Sequence, residues 1–122
     1  MRSGSWTWAR EAFAAGLRCL VKMQVLQNGR RTVWCAQHDP LTLAPAAARL
    51  KEPPSLSGGE SGDLLLFLMR LPEPPPEIIA AIEHGLAWFE GARLTGLRAV
   101  QRDGRSFYAS DPAATEPYWA RF

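Results

Sequence analysis

His38 and Asp39 stand side by side, and Arg49, Lys51 and Glu52 follow in the same stretch of chain. A carboxylate can orient an imidazole toward a proton, so His38 invites a general-base reading. Sequence neighbours need not face each other, however, and Asp39 ahead of Pro40 has a turn-capping task of its own. No serine sits in a nucleophile elbow, so hydrolysis through an acyl-enzyme has no support. Gly58-Gly59 precede a helical pattern, where backbone N–H groups can receive an anion. The Lys and Ser/Thr of a phosphate loop are missing, which leaves little for a nucleotide and keeps a carboxylate open. Arg49, Lys51 and Arg121 are the cations placed to meet such a ligand, since a guanidinium forks well onto a carboxylate. The plain alternative for each is a solvated charge or a surface ion pair. Trp34 and Trp119 offer stacking platforms, although buried aromatics more often build core. His84 carries no partner pattern and reads as a residue without chemistry.

These residues depend on a long polar stretch, residues 32–61, that shows no helical stripe. An unstructured loop of this length is uncommon in a compact domain and tends to be functional or disordered. Trp34, Leu41, Leu43, Leu50 and Leu56 need burial, which argues for an ordered, winding loop. Asp39-Pro40 starts a turn, Ala46-Ala47-Ala48 is expected to form a helical turn presenting Arg49, and Pro53-Pro54 forces extension. Ser57 and Glu60 match a reciprocal capping box opening a helix from Gly59 to Arg70. That helix is apolar nearly all round and is expected to be central.

Before the loop, Ser5 or Thr7 can cap a first helix carrying Trp8, Phe13, Leu17, Leu20 and Met23, with Gln27-Asn28-Gly29 as its stop. After it, a third helix runs from near Pro76 to about Gly91, with Ile78, Ile82, Leu86 and Phe89 on one face. Leu97 to Val100 is a short strand candidate, Arg102-Asp103-Gly104-Arg105 a turn, residues 107–115 irregular, and Tyr118 to Phe122 strand-like. The expected class is all-α, mainly helical, with a long ordered loop and short strand-like segments near the C-terminus.

A chain of 122 residues has room for one small core, and its apolar content of 47% is that of a globular protein. The formal charge of +2, with arginines scattered singly apart from Arg30-Arg31, argues against a nucleic-acid or membrane partner. Cys19 and Cys35 form no disulfide framework and show no metal-ligand spacing; two buried thiols are the favoured reading and one bridge the alternative. No apolar signal region opens the chain and no run is long enough to span a membrane.

Trp34-Cys35-Ala36-Gln37-His38-Asp39, then Leu43-Ala44-Pro45-Ala46 with Ala48-Arg49, then Glu52-Pro53-Pro54-Ser55-Leu56-Ser57-Gly58-Gly59-Glu60-Ser61 make an ordered series. It closely resembles the pectate lyases of polysaccharide lyase family ten. The likeness extends to Phe67-Leu68-Met69, Pro76 to Ile82, Trp88-Phe89 and Trp119-Ala120-Arg121-Phe122, and so covers most of the chain. It implies part of an α/α toroid and a parent enzyme that cleaves polygalacturonate by calcium-assisted β-elimination, an arginine taking the C5 proton. By the same resemblance Arg49 and Arg121 contact uronate carboxylates. Lys51 occupies a neighbouring substrate-facing position where many relatives carry an aromatic residue. Gln37, His38, Asp39, Glu52, Ser57 and Glu60 shape the site.

The departures are as informative. Nothing here matches the family's N-terminal half with its acidic calcium-site residues, and the base arginine is expected beyond the position of Phe122. Residues 1–122 are therefore expected to be one partial domain, the C-terminal portion of a catalytic domain, with no metal ligand and no catalytic residue of its own. The parent is expected to be monomeric and secreted or periplasmic. The alternative is a non-catalytic module that binds acidic oligosaccharides.

Overall fold

Helix α1 spans Ser3–Met23, and its two halves behave differently. The second half points Leu17, Leu20, Val21 and Met23 at the core, while Trp6 (67% exposed), Trp8 (71%) and Phe13 lie open to solvent. The computed structural model describes residues 3–49 and 52–121. Leu50, expected to be buried, and Lys51 and Phe122 lie outside the described residues. Ser5 and Thr7, expected at the cap of α1, lie inside the helix.

The chain leaves α1 into a two-stranded antiparallel hairpin, β1 (Leu26–Gln27) and β2 (Arg30–Arg31). Asn28 and Gly29 both have positive φ, 52° and 75°, the geometry of a tight hairpin turn whose twist matches its strands. The left-handed backbone expected of Asn28-Gly29 is present, but it reverses a hairpin rather than ending a helix. The same chemistry recurs at Asp103 and Gly104 (φ 52° and 73°), between β3 (Leu97–Arg102) and β4 (Arg105–Ser110). Residues 107–110, expected to be irregular, are therefore paired strand.

Three helices and two antiparallel hairpins make this a mixed α and β arrangement, not an all-α domain. The physical reason lies in two short turn signals, Asn-Gly and Asp-Gly, which outrank the helical stripes around them.

Helix α2 spans Gly58–Met69 and buries Ser61, Leu65 and Leu68, one narrow stripe at helical spacing. Leu66, Phe67 and Met69 remain exposed on its other side, so among the described residues the helix is half-covered rather than central. Helix α3, Pro76–Gly91, has the expected limits, with proline at its first position, where the missing N–H costs nothing. Its buried stripe is Ile78, Ala81 and Gly85, rotated from the expected one, and Leu86 is nearly half exposed. Small residues set that rotation. A Cβ built on Gly85 meets Leu65 Cδ2 at 2.7 Å, so the Leu65 side chain of α2 packs directly against the α3 backbone at Gly85. The core is Val33, Trp34, Leu56, Leu65, Leu68 and Ile78, with three of its members taken from the polar stretch 32–61.

Candidate carboxylate-binding site

The long loop is a nest of turns clasped at its root. Trp34 and Ser57 begin and end it, joined by the Ser57 N–H donating to the Trp34 carbonyl at 2.9 Å, with Cys35 bridged to Leu56. The fully buried Trp34 side chain anchors this root, its indole N–H donating to the Leu20 carbonyl at 2.8 Å. It is core, not a stacking platform. Ser61, on the buried stripe of α2, closes the clasp from below. Its Oγ accepts the Trp34 N–H at 3.0 Å and donates to the Trp34 carbonyl at 3.1 Å. Sequence reasoning missed Ser61; its signal was a polar residue in register with Leu65 and Leu68.

Inside the clasp, Gln37 to Ala46 form a reversal held by the Ala46 N–H to the Gln37 carbonyl (2.9 Å) and the Asp39 N–H to the Ala44 carbonyl (2.8 Å). His38 occupies its centre. Its Nδ1–H donates to the Leu43 carbonyl at 2.9 Å and its Nε2 accepts the Cys35 N–H at 3.0 Å. Those partners assign the tautomer and commit both ring nitrogens, so the general-base reading of His38 is not supported by the geometry. Asp39 turns to the backbone: its Oδ1 accepts the N–H groups of Leu41 and Thr42, both at 2.8 Å. These two bonds, Thr42's first, hold its carboxyl below the usual value. Gln37, whose side chain is exposed, contributes its main chain to the same reversal.

A second, tighter reversal carries the charged residues. The Glu52 N–H donates to the Arg49 carbonyl at 3.0 Å, and the Ala48 N–H to the Glu52 carbonyl at 3.3 Å. The helical turn expected at residues 46–48 is absent, because alanine's propensity cannot outweigh these cross-turn bonds and the prolines that follow.

Arg121 arrives from the far end of the chain. Leu94 and Tyr118 exchange two backbone hydrogen bonds (2.8 and 2.9 Å), and the Trp119 indole N–H donates to the Phe89 carbonyl at 2.7 Å. The Trp119 ring meets Phe89 edge-on at 5.6 Å, and a Cβ built on Gly58 lies 3.7 Å from the Trp119 Cβ. This docking sets Arg121 Nη1 3.7 Å from Glu52 Oε2. The pair is open, with the Arg121 side chain 55% exposed and that of Glu52 39%. At this separation and exposure it contributes about 0–1 kcal/mol to stability.

The start of α2 completes the neighbourhood. Ser57 makes no side-chain bond to the helix backbone; its hydroxyl donates to the Glu60 carboxylate instead. The reciprocal capping box is thus replaced by a side-chain pair, and Glu60 supplies the negative charge that the helix N-terminus favours. The structure joins Arg49 to Glu52 through their backbones and Arg121 to Glu52 through the ion pair, and connects Ser57 and Glu60 to this segment through Gly58 and Trp119. Gln37, His38 and Asp39 shape the loop. Lys51 is outside the described residues.

Both cysteines are free: the Cys19 thiol points at the Met23 sulfur and the buried Cys35 thiol at the Ala46 carbonyl. Among the described residues no three His, Cys, Asp or Glu side chains converge as a metal site, and no helix is long and apolar enough to cross a membrane.

The family model described as pectic acid lyase matches residues 1–122. The chain belongs to the pectic acid lyase family. A similar solved structure is that of a mutant family 10 polysaccharide lyase from Cellvibrio cellulosa in complex with trigalacturonic acid. It is 37% identical, covers 93% of this chain and superposes with a TM-score of 0.78. A second structure of the family 10 polysaccharide lyase from Cellvibrio cellulosa is 38% identical over 80% of this chain, with a TM-score of 0.68. The chain spans about a third of those structures, 35% and 33% of their lengths. No protein of curated function matches it. In this pectic acid lyase chain the described residues thus combine a family membership with an open Arg121–Glu52 pair beside the backbone bridge of Arg49 to Glu52.

Proposed function

We propose that the chain is the carboxylate-gripping portion of a pectate lyase whose whole form cleaves polygalacturonate by calcium-assisted β-elimination. The convergence of Arg121 on Glu52, beside the Arg49 bridge, carries this reading. It is supported by the likeness to a lyase solved with trigalacturonic acid. Each sugar of polygalacturonate bears a carboxylate, and a guanidinium offers two parallel N–H groups to it. Glu52 holds Arg121 by a long, exposed contact, so a substrate carboxylate can take its place without a buried charge being stranded.

In β-elimination a base removes the C5 proton, the C4–O4 bond breaks with its electron pair leaving on oxygen, and a C4–C5 double bond remains. Charge spreads onto the C5 carboxylate as the proton departs, and the two arginines offset it where it develops. Calcium belongs to the proposal as an added cation of the longer enzyme, which acts outside the cell on its polymer and is built as an α/α toroid. The described residues do not by themselves form its cage. The base arginine is assigned outside residues 1–122, so this chain is expected to bind without cleaving.

The test measures trigalacturonate binding to this chain and unsaturated-product absorbance with polygalacturonate and calcium, beside the full-length lyase. Binding without product from the chain, and product from the longer protein, supports the reading. Absence of binding overturns it. Product from this chain alone would move the base into it, and Arg49 would be the group, because both nitrogens of His38 are committed. Arg49→Lys would then lower kcat more than it raises KM.

A further inference from the structure

A groove of about 700 Å³ lies between the β1–β2 hairpin and the C-terminal half of α3. Gln27, Arg30, Arg31, His84 and Trp88 are among its lining residues. A second depression of about 470 Å³ adjoins it, sharing Gln27 and Trp88 and adding Arg93. Among the described residues neither is lined by an aspartate or glutamate, although acidic and basic residues are nearly balanced in the chain, 12 against 14. Arg93 is paired with Glu90 at 3.2 Å, and Arg31 is anchored on the Val21 carbonyl. Arg30 stands directly across the hairpin from Gln27, so the two side chains leave the same face of the ribbon.

Gln27 also lines a third, smaller depression, whose other walls include Pro45, Pro54 and Ser55 of the charged loop. One residue therefore joins the groove to the segment next to Glu52. Gln27 is thus a wall common to all three depressions.

We propose that this groove is an accessory subsite for a further uronate unit of an acidic polysaccharide, with Arg30 meeting the carboxylate and Trp88 facing the sugar ring. The chemistry is a cation beside an aromatic surface, in a space of a size usual for small-ligand sites. It rests on the reading of the chain as an oligogalacturonate binder, and extends that reading to chain length: short oligomers are held at the loop, long ones also at the groove.

The test compares trigalacturonate with a polygalacturonate fraction long enough to reach both places, binding to this chain before and after Arg30→Glu and Arg30→Lys. The expected result is about a tenfold loss of polymer affinity in Arg30→Glu, little change in Arg30→Lys, and an unchanged trigalacturonate affinity in both. The Trp88 indole N–H resonance is expected to shift with the polymer and not with trigalacturonate. Equal polymer affinity in Arg30→Glu and the parent, or a Trp88 resonance that the polymer leaves in place, overturns the subsite while leaving the loop site standing. Failure of trigalacturonate to bind the parent chain overturns the underlying reading instead.

Discussion

Ser61 grips both backbone polar groups of Trp34 with a single hydroxyl, accepting its N–H at 3.0 Å and donating to its carbonyl at 3.1 Å. The Trp34 carbonyl also receives the Ser57 N–H, so helix α2 and the two ends of the loop meet at one residue. Ser61 is fully buried, so bulk solvent does not reach the groups it serves. Ser61→Ala is expected to cost about 1–3 kcal/mol, the penalty for stranding a buried donor. A lowered melting temperature with faster hydrogen exchange at the Trp34 amide checks this; an unchanged melt would show that the loop is held elsewhere.

His38 serves the fold of the loop through both ring nitrogens. Its Nε2 is the acceptor for the Cys35 N–H, and Cys35 is itself buried. His38→Ala should release that amide, at a cost of about 1–2 kcal/mol, and weaken trigalacturonate binding by loosening the loop that carries Arg49 and Glu52. Hydrogen exchange at Cys35 reads the first effect and titration calorimetry the second. Wild-type exchange at that amide would be the contrary result.

Asp39 gives the same loop an acid limit. Its carboxyl is held low by the N–H groups of Thr42 and Leu41, so the charged form is favoured in the folded loop. The sign follows from that depression: the stabilisation is fully present above the ordinary carboxylate value of 3.8 and is lost as pH falls through the lower folded value. Asp39→Asn keeps an acceptor for the turn but removes the proton equilibrium. Stability plotted against pH should therefore fall less steeply below about pH 4 in Asp39→Asn than in the parent. Identical acid limbs would show that other carboxylates dominate.

The α2–α3 crossing rests on Gly85. A methyl there meets Leu65 Cδ2 at 2.7 Å and Cδ1 at 3.0 Å, and Leu65 is itself buried. Overpacking costs about 1–3 kcal/mol, against about 1 kcal/mol gained from alanine's better helix propensity. Gly85→Ala is expected to lose about 1 kcal/mol net, and Leu65→Val in the same chain to recover part of it. A denaturant-unfolding cycle over both sites measures the coupling, and simple additivity would count against the contact.

Arg121 and Glu52 are expected to separate affinity from stability. Their exposed pair adds little to the fold, so Arg121→Ala should shift the melting temperature only slightly. Its effect on trigalacturonate binding should be about 10- to 100-fold, matching a charge-assisted hydrogen bond, and should shrink as salt is raised. Glu52→Gln, which removes the competing carboxylate, should leave binding equal or tighter. A large loss of affinity in Glu52→Gln would make Glu52 an orienting group and not a placeholder.

The chain's own letters were enough for its local grammar. Proline at 76 and glycine near 91 bounded α3 correctly, because start and stop signals act within one turn of a helix. The Asp39 turn was also legible, and so was the ordered character of the long loop, although of the residues expected to be buried there Trp34 and Leu56 are, Leu41 is 91% exposed, and Leu50 lies outside the described residues. Asn28-Gly29 was read in its correct left-handed state yet assigned to the wrong element, since the same backbone serves a helix end and a hairpin. What the sequence could not settle was anything that depends on a partner distant along the chain. Whether His38 has a free nitrogen is decided by Cys35 and Leu43, and which face of α3 is buried by Leu65 against Gly85. Arg121 reaches Glu52 only because Leu94, Phe89 and Gly58 dock the segment that carries it. Local propensity is written in neighbouring residues; the site is a meeting of three segments, and only tertiary packing brings them to one place.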